Sequence, residues 1–481
     1  MQIGVVIRTF GVLFLLFSTT LLPPAILSLI YADGEFSHFA WVFLGSAAVG
    51  TALWLPLHGK PLPIRNRDGF GIVSLMWICM SLLGSLPFML GLDMSFPDAL
   101  FESASGYTTT GTTVIIGLDS LPPSILFYRQ EIQWLGGIGV IVLAIALLPM
   151  LGIGGMQLYR AETPGAVKDE KLTPRITQTA RTVAVVYVGM TVICAICYAF
   201  AGMSMFDAIS HAFATISTGG FSTHDASLGY FDSHAIETIA MVFMLIGAIS
   251  FNVHFIVWRT LRFSAYVRHE ESRAFLLITL GLSIFIALVL VTSRAVPDVW
   301  QAWRLASFEA VSVITSTGFA IVDFSLWPVA LPVMLVFASF MGGCSGSTSG
   351  GVKVIRFLIL ARQATVYVEK LIHPRLVRPV RIDGRVVPPS VVDGVWAFFA
   401  VYVIVFAILM VVVMMNGLDQ VTAFGAVAAT LNNMGPGLGD VAITFASVDD
   451  ASKIVFSLAM VLGRLEIFTL LVLLSPSIWR G

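Results

Sequence analysis

The sequence predicts an all-α protein that crosses a membrane many times, and three observations predict it. Hydrophobic residues make up 57% of the 481 residues, charged residues only 11%, and the mean hydropathy is +0.91. A water-facing surface needs far more charge than that, so lipid must solvate the bulk of the chain. Apolar runs of about 20 residues, the length that spans a bilayer as helix, recur from end to end. A short motif of glycine and hydroxyl residues recurs with them.

The predicted spans cover residues 9–31, 38–57, 69–91, 132–151, 182–202, 236–258, 274–293, 329–360, 394–415 and 454–475. The first follows MQIGVVIR; it is too long for the h-region of a signal peptide and no small-x-small cleavage site follows it, so it is expected as a retained helix. Four further apolar segments, 97–110, 205–218, 301–317 and 420–434, are too brief to span and are expected as re-entrant half-membrane helices.

Lys60, Arg65, Arg67, Arg160, Lys168, Lys171, Arg175, Arg181, Arg259, Arg262, Arg268, Arg273, Lys370, Arg375, Arg378, Arg381 and Arg385 fall in one set of loops. Asp33, Glu35, Asp93, Asp119, Asp225, Asp232, Asp323, Asp419, Asp449 and Asp450 fall in the other. The positive-inside rule makes the first set cytoplasmic, with both termini inside and all four short segments on the outer side. The polar stretches 157–181 and 361–393 are then cytoplasmic, either as solvated loops or as a docking surface for a soluble partner.

The net charge of −1 argues against nucleic acid as a partner, since phosphate binding needs a basic excess. Cys79, Cys194, Cys197 and Cys344 all lie within apolar stretches. Cys194 and Cys197 form a C-x-x-C inside VICAICYAF with no βαβ pattern nearby, so the cysteines read as packing residues rather than disulfides, metal ligands or redox centres.

The repeat carries the functional information. Phe101-Glu-Ser-Ala-Ser-Gly-Tyr-Thr-Thr-Thr-Gly111 aligns without gaps on Phe308-Glu-Ala-Val-Ser-Val-Ile-Thr-Ser-Thr-Gly318, sharing F-E-x-x-S-x-x-T-x-T-G. Ser210-His-Ala-Phe-Ala-Thr-Ile-Ser-Thr-Gly-Gly220 is a third copy, and Gly425-Ala-Val-Ala-Ala-Thr-Leu-Asn-Asn-Met-Gly435 a fourth and most diverged one. The spacing suits a unit of helix, short helix, loop and helix.

Each short helix should end near the bilayer centre, with non-helical backbone at Gly111, Gly220, Gly318 and Gly435. Such backbone is tolerated at that depth only where it is buried in protein or lines a water-filled cavity. Four of these segments about one axis would turn carbonyls and the negative ends of helix dipoles inward, which favours a cation. Carbonyl rings that replace a hydration shell are how potassium-selective filters work. Glu102 and Glu309 occupy corresponding places, but His211 and Ala426 stand there in the other copies. No carboxylate ring can close, and the two glutamates read as buried supports. Phe221 and Phe319, which follow the turns, read as packing wedges.

A second anomaly is Met341-Gly-Gly-Cys-Ser-Gly-Ser-Thr-Ser-Gly-Gly351, which interrupts an apolar stretch with small residues. Each interior glycine costs about 1 kcal/mol against alanine, so continuous helix is not expected. A P-loop is excluded by the order G-G-V-K-V and by the membrane setting. The expected structure is an intramembrane loop beneath the four turns, built on Gly342, Gly343, Gly346, Gly350, Gly351 and the following Lys353.

The stretches SGYTTTGTTV (105–114), ISTGGFST (216–223), ITSTGFA (314–320), NNMGPGLGD (432–440), QWLGGIGVIV (133–142), GGCSGSTSGGVKVIR (342–356) and LGRLEIFT (462–469) resemble the TrkH type of the Trk/Ktr superfamily of bacterial potassium uptake proteins. The likeness covers essentially the whole chain. It implies four M1–pore helix–M2 repeats with pseudo-fourfold symmetry plus two extra N-terminal transmembrane helices, in a homodimer of the bacterial inner membrane with one pore per subunit. It further implies potassium as the transported ion, no organic cofactor on this chain, and a TrkA-type cytoplasmic partner that binds NAD or adenine nucleotide.

Family filter positions carry over onto Thr109, Thr110, Gly111; Thr218, Gly219, Gly220; Ser316, Thr317, Gly318; and Asn433, Met434, Gly435. The chain departs from the usual pattern at Ser316, where Thr is commoner, and at Asn433-Met434, which lack hydroxyls. The expected divisions are 1–68 for the N-terminal helices, 69–156 for repeat 1, a cytoplasmic loop at 157–181 and 182–262 for repeat 2. Repeat 3 follows at 263–365, with its gating loop at 342–351, then a cytoplasmic loop at 366–393 and repeat 4 at 394–481.

Arg464 lies midway along the last apolar run, where a charge is costly and normally faces a cavity or an acidic partner. One reading pairs it with Glu466 or with a buried carboxylate near the cytoplasmic end. The other, which the resemblance favours, sets it beside the ion path as a barrier. Asn252 and His254 either hydrogen-bond into the cavity or satisfy neighbouring helices. His269-Glu270-Glu271 lacks metal spacing. The rival function is a secondary cation symporter with alternating access, but the repeats are parallel and midplane carboxylates few. No catalytic constellation is present in the helices, so no enzyme is expected.

Overall fold

The structure is a computed structural model and describes residues 3–59, 66–142, 172–328 and 330–474. Its elements run α1 (Ile3–Thr20), α2 (Leu22–Tyr31), α3 (Phe36–Trp54), α4 (Asn66–Gly84), α5 (Leu86–Gly91), α6 (Phe96–Tyr107) and α7 (Pro123–Val142). Next come α8 (Leu172–Phe200), α9 (Met205–Ile216), α10 (His234–Ala248), α11 (Phe251–Thr260), α12 (Ser264–Arg268), α13 (Glu270–Thr292) and α14 (Val299–Ile314). The chain continues through α15 (Ala330–Met341), α16 (Val354–Ile372), the strands β1 (Arg381–Ile382) and β2 (Arg385–Val386), and α17 (Pro389–Met415). It ends with α18 (Gln420–Leu431), α19 (Asp450–Arg464) and α20 (Phe468–Leu474).

Six helical stretches among the described residues are long and apolar enough to cross a bilayer: Gly4–Tyr31, Phe36–Leu57, Gly71–Gly91, Arg181–Phe200, Glu270–Thr292 and Pro389–Met415. Their outer faces expose Leu29, Trp41, Phe200, Leu277, Val403 and Met415, as lipid-facing helices should. The four brief segments are the short helices α6, α9, α14 and α18. Small residues bring the long helices close. A Cβ on Gly11 of α1 would lie 2.7 Å from the Trp54 backbone nitrogen, and one on Gly50 of α3 would lie 3.0 Å from the Gly11 carbonyl oxygen.

Several expected spans are not single helices. Pro23 and Pro24 follow a break at Leu21, and Pro87 follows one at Ser85, since proline is accepted only in a helix's first turn. The expected span 236–258 is bent by 100° between α10 and α11. Its backbone groups pair across the break with the glycine-rich loop: Cys344 N–H donates to Ala248 O (2.8 Å) and Phe251 N–H to Gly346 O (3.0 Å). The span 454–475 stops at Arg464 and turns through Glu466 and Ile467, whose φ values are +54° and +53°.

Helix α7 begins at Pro123, well before the expected residue 132, and carries Arg129, Gln130 and Glu131 buried within it. The expected span 132–151 and loop 157–181 run through residues 143–171, which lie outside the described residues, as do Lys60, Arg65, Arg160, Lys168 and Lys171. Arg175 and Arg181 belong to α8 rather than to a loop.

The stretch 361–393 is not a plain solvated loop either. Helix α16 continues to Ile372, and β1 pairs antiparallel with β2 across Asp383-Gly384. Ile382 and Val387 then pack with Ile359, Val391 and Val395 in a small core. Asp383 exchanges backbone-to-carboxylate hydrogen bonds with Glu270 at the start of α13, both 2.8 Å.

Candidate functional site

The four short helices are built alike. Each begins on a capping side chain: Ser95, Ser204, Asp298 and Asp419 accept the N–H of Asp98, Asp207, Gln301 and Val421 respectively. Each leaves the helix through the same turn. The N–H groups of Thr110, Gly219, Thr317 and Met434 reach back to the carbonyls of Ser105, Ala214, Ser312 and Ala429 at 2.8, 2.8, 2.9 and 2.9 Å.

Backbone angles repeat too. Thr109, Thr218, Ser316 and Asn433 have φ of +52°, +50°, +54° and +53°, and Gly111, Gly220, Gly318 and Gly435 have +85°, +79°, +82° and +104°. Left-handed backbone costs a non-glycine residue roughly 1–2 kcal/mol, and such strain clusters at functional sites. The fourth turn, least like the others in sequence, adopts the same conformation.

The turns touch one another in a closed cycle. A Cβ on Gly111 would collide with Gly219 O, one on Gly220 with Thr317 O, and one on Gly318 with Met434 O; one on Gly435 would lie 3.3 Å from Thr110 O. Each glycine thus faces a carbonyl of the next turn, and the fourth faces the first. All four glycines line one cavity of about 330 Å³, together with Asp225 and Asp323. The four glycines singled out from the sequence, and the residues that precede them, are therefore brought together.

Buried polar groups support the ring from behind. Glu102 accepts from Arg129 Nε (2.8 Å), Thr113 Oγ1 (2.9 Å) and Val114 N (3.1 Å). Glu309 accepts from Ile321 N at 3.0 Å. Asn433 Nδ2 donates to Thr110 Oγ1 (2.8 Å) and Met460 O (2.9 Å), joining the fourth turn to the first. His211 bonds Ser222 Oγ at 2.9 Å, and Phe221 and Phe319 are buried as expected of wedges. At the cavity Asp225 accepts from Gly117 N and Leu118 N, both 3.1 Å. His224 hydrogen-bonds Asp119 and holds that carboxyl below its ordinary range.

Below the ring lies the loop 342–353. Thr348 Oγ1 donates to Ile216 O (3.1 Å) and lies 3.1 Å from Thr218 Oγ1. Gly350 N–H donates to Ser316 Oγ (2.6 Å) and Gly351 N–H to Asn432 O (3.0 Å). The loop is thereby tied to the inner ends of three turns. Gly342, Gly346 and Gly351 take φ of +63°, +72° and +72°. Gly343 and Gly350 lie against the Ala248 and Asn432 carbonyls, where no Cβ fits. Lys353 donates to Ser349 O, and Glu271 of α13 accepts from Ser345 N (2.7 Å) and Ile355 N (3.2 Å).

The alternative pairing of Arg464 with Glu466 is not made: Glu466 bonds Arg356 instead. Arg464 Nη1 donates to Thr348 O in the loop at 2.7 Å, while its buried Nε and Nη2 have no hydrogen-bond partner among the described residues. His254 satisfies its neighbours, Tyr266 Oη and Ile246 O. Asn252 Nδ2 approaches the loop at Gly346 without a hydrogen bond of its own. The residues that sequence reasoning missed are Arg129, Gln133, Glu271 and Arg356. The signal for the first was the polar triplet Arg129-Gln-Glu131, which lies directly before an apolar run.

The family profile of TrkH, described as a cation transport protein, matches residues 35–480. The Trk system potassium uptake protein TrkH of Vibrio parahaemolyticus is 49% identical over the full length of both chains. TrkH of Escherichia coli K12 is 45% identical over the same extent, and TrkG of that strain 40% over all of this chain and 99% of its own. The crystal structure of the potassium transporter TrkH from Vibrio parahaemolyticus superimposes with a TM-score of 0.93 at 46% identity, covering all of both chains.

The contact cycle makes a stability prediction. Gly220→Ala puts a methyl group onto the Thr317 carbonyl and asks alanine for a φ of +79°. It should lower the thermal unfolding midpoint in detergent by the equivalent of at least about 1–2 kcal/mol. Gly45→Ala, in α3 with open space around its Cβ, should leave the midpoint unchanged or slightly raised.

Proposed function

The chain belongs to the TrkH family of cation transport proteins, a family of transporters and not of enzymes, and from that premise we propose that it takes up potassium through the ring of four turns. The observation that carries the reading is the closed cycle of glycine-to-carbonyl contacts among turns of one conformation. An entering ion trades its hydration shell for the backbone oxygens of Thr109–Gly111, Thr218–Gly220, Ser316–Gly318 and Asn433–Gly435. Four helix C-termini add about −0.5 charge each at the inner ends, which offsets part of the dehydration cost of a cation. Asp225 and Asp323 at the outer cavity raise the local cation concentration.

In this reading the turns are the filter of four M1–pore helix–M2 repeats, 69–156, 182–262, 263–365 and 394–481, preceded by two N-terminal helices. The loop 342–351 is the gate. Its hydrogen bonds to Ile216, Ser316 and Asn432 close the inner end of the ring, and they must break for an ion to pass. Arg464 adds an electrostatic barrier, for a cation about 4 Å from a guanidinium is raised by about 4 kcal/mol at an effective dielectric constant near 20. The relatives' names place them in a Trk system. We extend that to a TrkA-type nucleotide-binding partner on the cytoplasmic side of a homodimer, in the bacterial inner membrane with both termini inside.

Rubidium and sodium flux into proteoliposomes tests the filter. The wild-type protein should favour rubidium, and Gly111→Ser should erase that preference; equal flux of the two ions through wild type refutes the reading. Arg464→Ala, or a shortened 345–350 segment, should raise basal rubidium flux. A well-folded variant of either kind with wild-type flux removes the barrier or the gate from the mechanism.

A further inference from the structure

Three of the four positions that precede a ring glycine carry a side chain, namely Thr110, Thr317 and Met434; the fourth is Gly219. Conformation does not demand glycine there. Gly219 is absent from the positive-φ residues, unlike Gly111, Gly220, Gly318 and Gly435. What excludes a side chain is a neighbour. A Cβ on Gly219 would lie 2.5 Å from Gln133 Cδ, 2.6 Å from its Oε1 and 2.9 Å from its Nε2. The amide of Gln133, on α7, fills the space where a side chain at 219 would start.

That amide also makes the bonds a brace needs. Gln133 Nε2 donates to Gly219 O at 2.8 Å, and its Oε1 accepts from Phe221 N–H at 3.0 Å. One fully buried side chain therefore holds the backbone on both sides of Gly220. One helical turn earlier on the same face, Arg129 Nη1 donates to Ser222 O at 3.0 Å, and its guanidinium lies 4.2 Å over the Phe221 ring. Glu102 neutralises that charge.

The first and third turns are braced differently. Thr110 Oγ1 lies 2.7 Å from Thr108 Oγ1, and Thr317 Oγ1 2.8 Å from Thr315 Oγ1, so the first and third turns tie their own hydroxyl to one two residues back. Gly219 has no hydroxyl to offer. We propose that Gln133 is the ring side chain missing from the second turn, supplied by the helix that follows the first, and that it is a positioning residue for ion preference through the Gly219 carbonyl. The proposal rests on the filter reading above.

The test is complementation, measured as the rubidium-over-sodium flux ratio in proteoliposomes, with folding followed by monodisperse elution and thermal midpoint. Gln133→Ala should lower the ratio about tenfold, the scale expected when a buried acceptor and donor lose their partners. Gly219→Thr alone, which clashes with the amide, should lower it comparably. The double variant Gln133→Ala/Gly219→Thr should recover to within about threefold of wild type, since the clashing atoms are gone and a threonine returns. If Gln133→Ala does not fold, Gln133→Met decides, because it fills the space without the hydrogen bonds and should show the same loss.

A double variant no better than its parents overturns the complementary pairing. A wild-type ratio in folded Gln133→Ala or Gln133→Met overturns the positioning role, provided Gly111→Ser abolishes preference in the same preparation. A wild-type protein without rubidium preference overturns the filter reading instead.

Discussion

Backbone that leaves a helix at membrane depth has no water to bond, and each unpaired group costs several kcal/mol. This chain leaves helical structure where the backbone is buried in protein in at least six places: four turns, one glycine-rich loop and one sharp bend. Most of the remaining architecture follows from where the freed N–H and C=O groups go. The turns spend some on their own helices, through the bonds to Ser105, Ala214, Ser312 and Ala429. The bend at Ile249-Ser250 and the loop at 342–353 satisfy one another. Neither could exist alone. Others are met by buried side chains, notably Glu102, Glu271, Glu309 and Gln133.

That bookkeeping accounts for the odd distribution of charge. Arg129, Glu102, Glu271 and Arg356 are buried in a chain that carries little charge overall, and each bonds backbone that is not helical. The strain stored in four left-handed non-glycine residues is sustained in the same way, because the surroundings fix both ends of every turn. A buried charge is strongly destabilising when its partner is removed, so these networks hold the ring in place only while every partner is present.

Much of this was legible in the sequence. The short helices and the ring glycines could be found because the chain repeats itself, and the loop because glycine and serine displace apolar residues at 341–351. The bend in 236–258 could not be read, for Ala248-Ile-Ser-Phe251 contains no proline or glycine and its partners lie about a hundred residues away. Arg129 fell just outside a span drawn from hydropathy, and its roles are set by Glu102 and Ser222, which only the fold brings near. The hairpin at 381–386 did leave a signal, an Asp383-Gly384 pair flanked by β-branched residues, with φ of +47° and +77° in the structure. Arg464 was visible but its partner was not, because Glu466, two residues on, turns away to Arg356.

The exchange between Gly219 and Gln133 has a consequence for how such a ring can change. Were the ring assembled from four separate copies of one polypeptide, any altered codon would alter every quadrant at once, and a glycine tolerated in one seat would have to be tolerated in all. Here the quadrants are written separately along one chain. A single altered codon moves one quarter of the ring, and a neighbouring quadrant can lend the missing atoms, so the symmetry of the backbone outlasts the symmetry of the side chains.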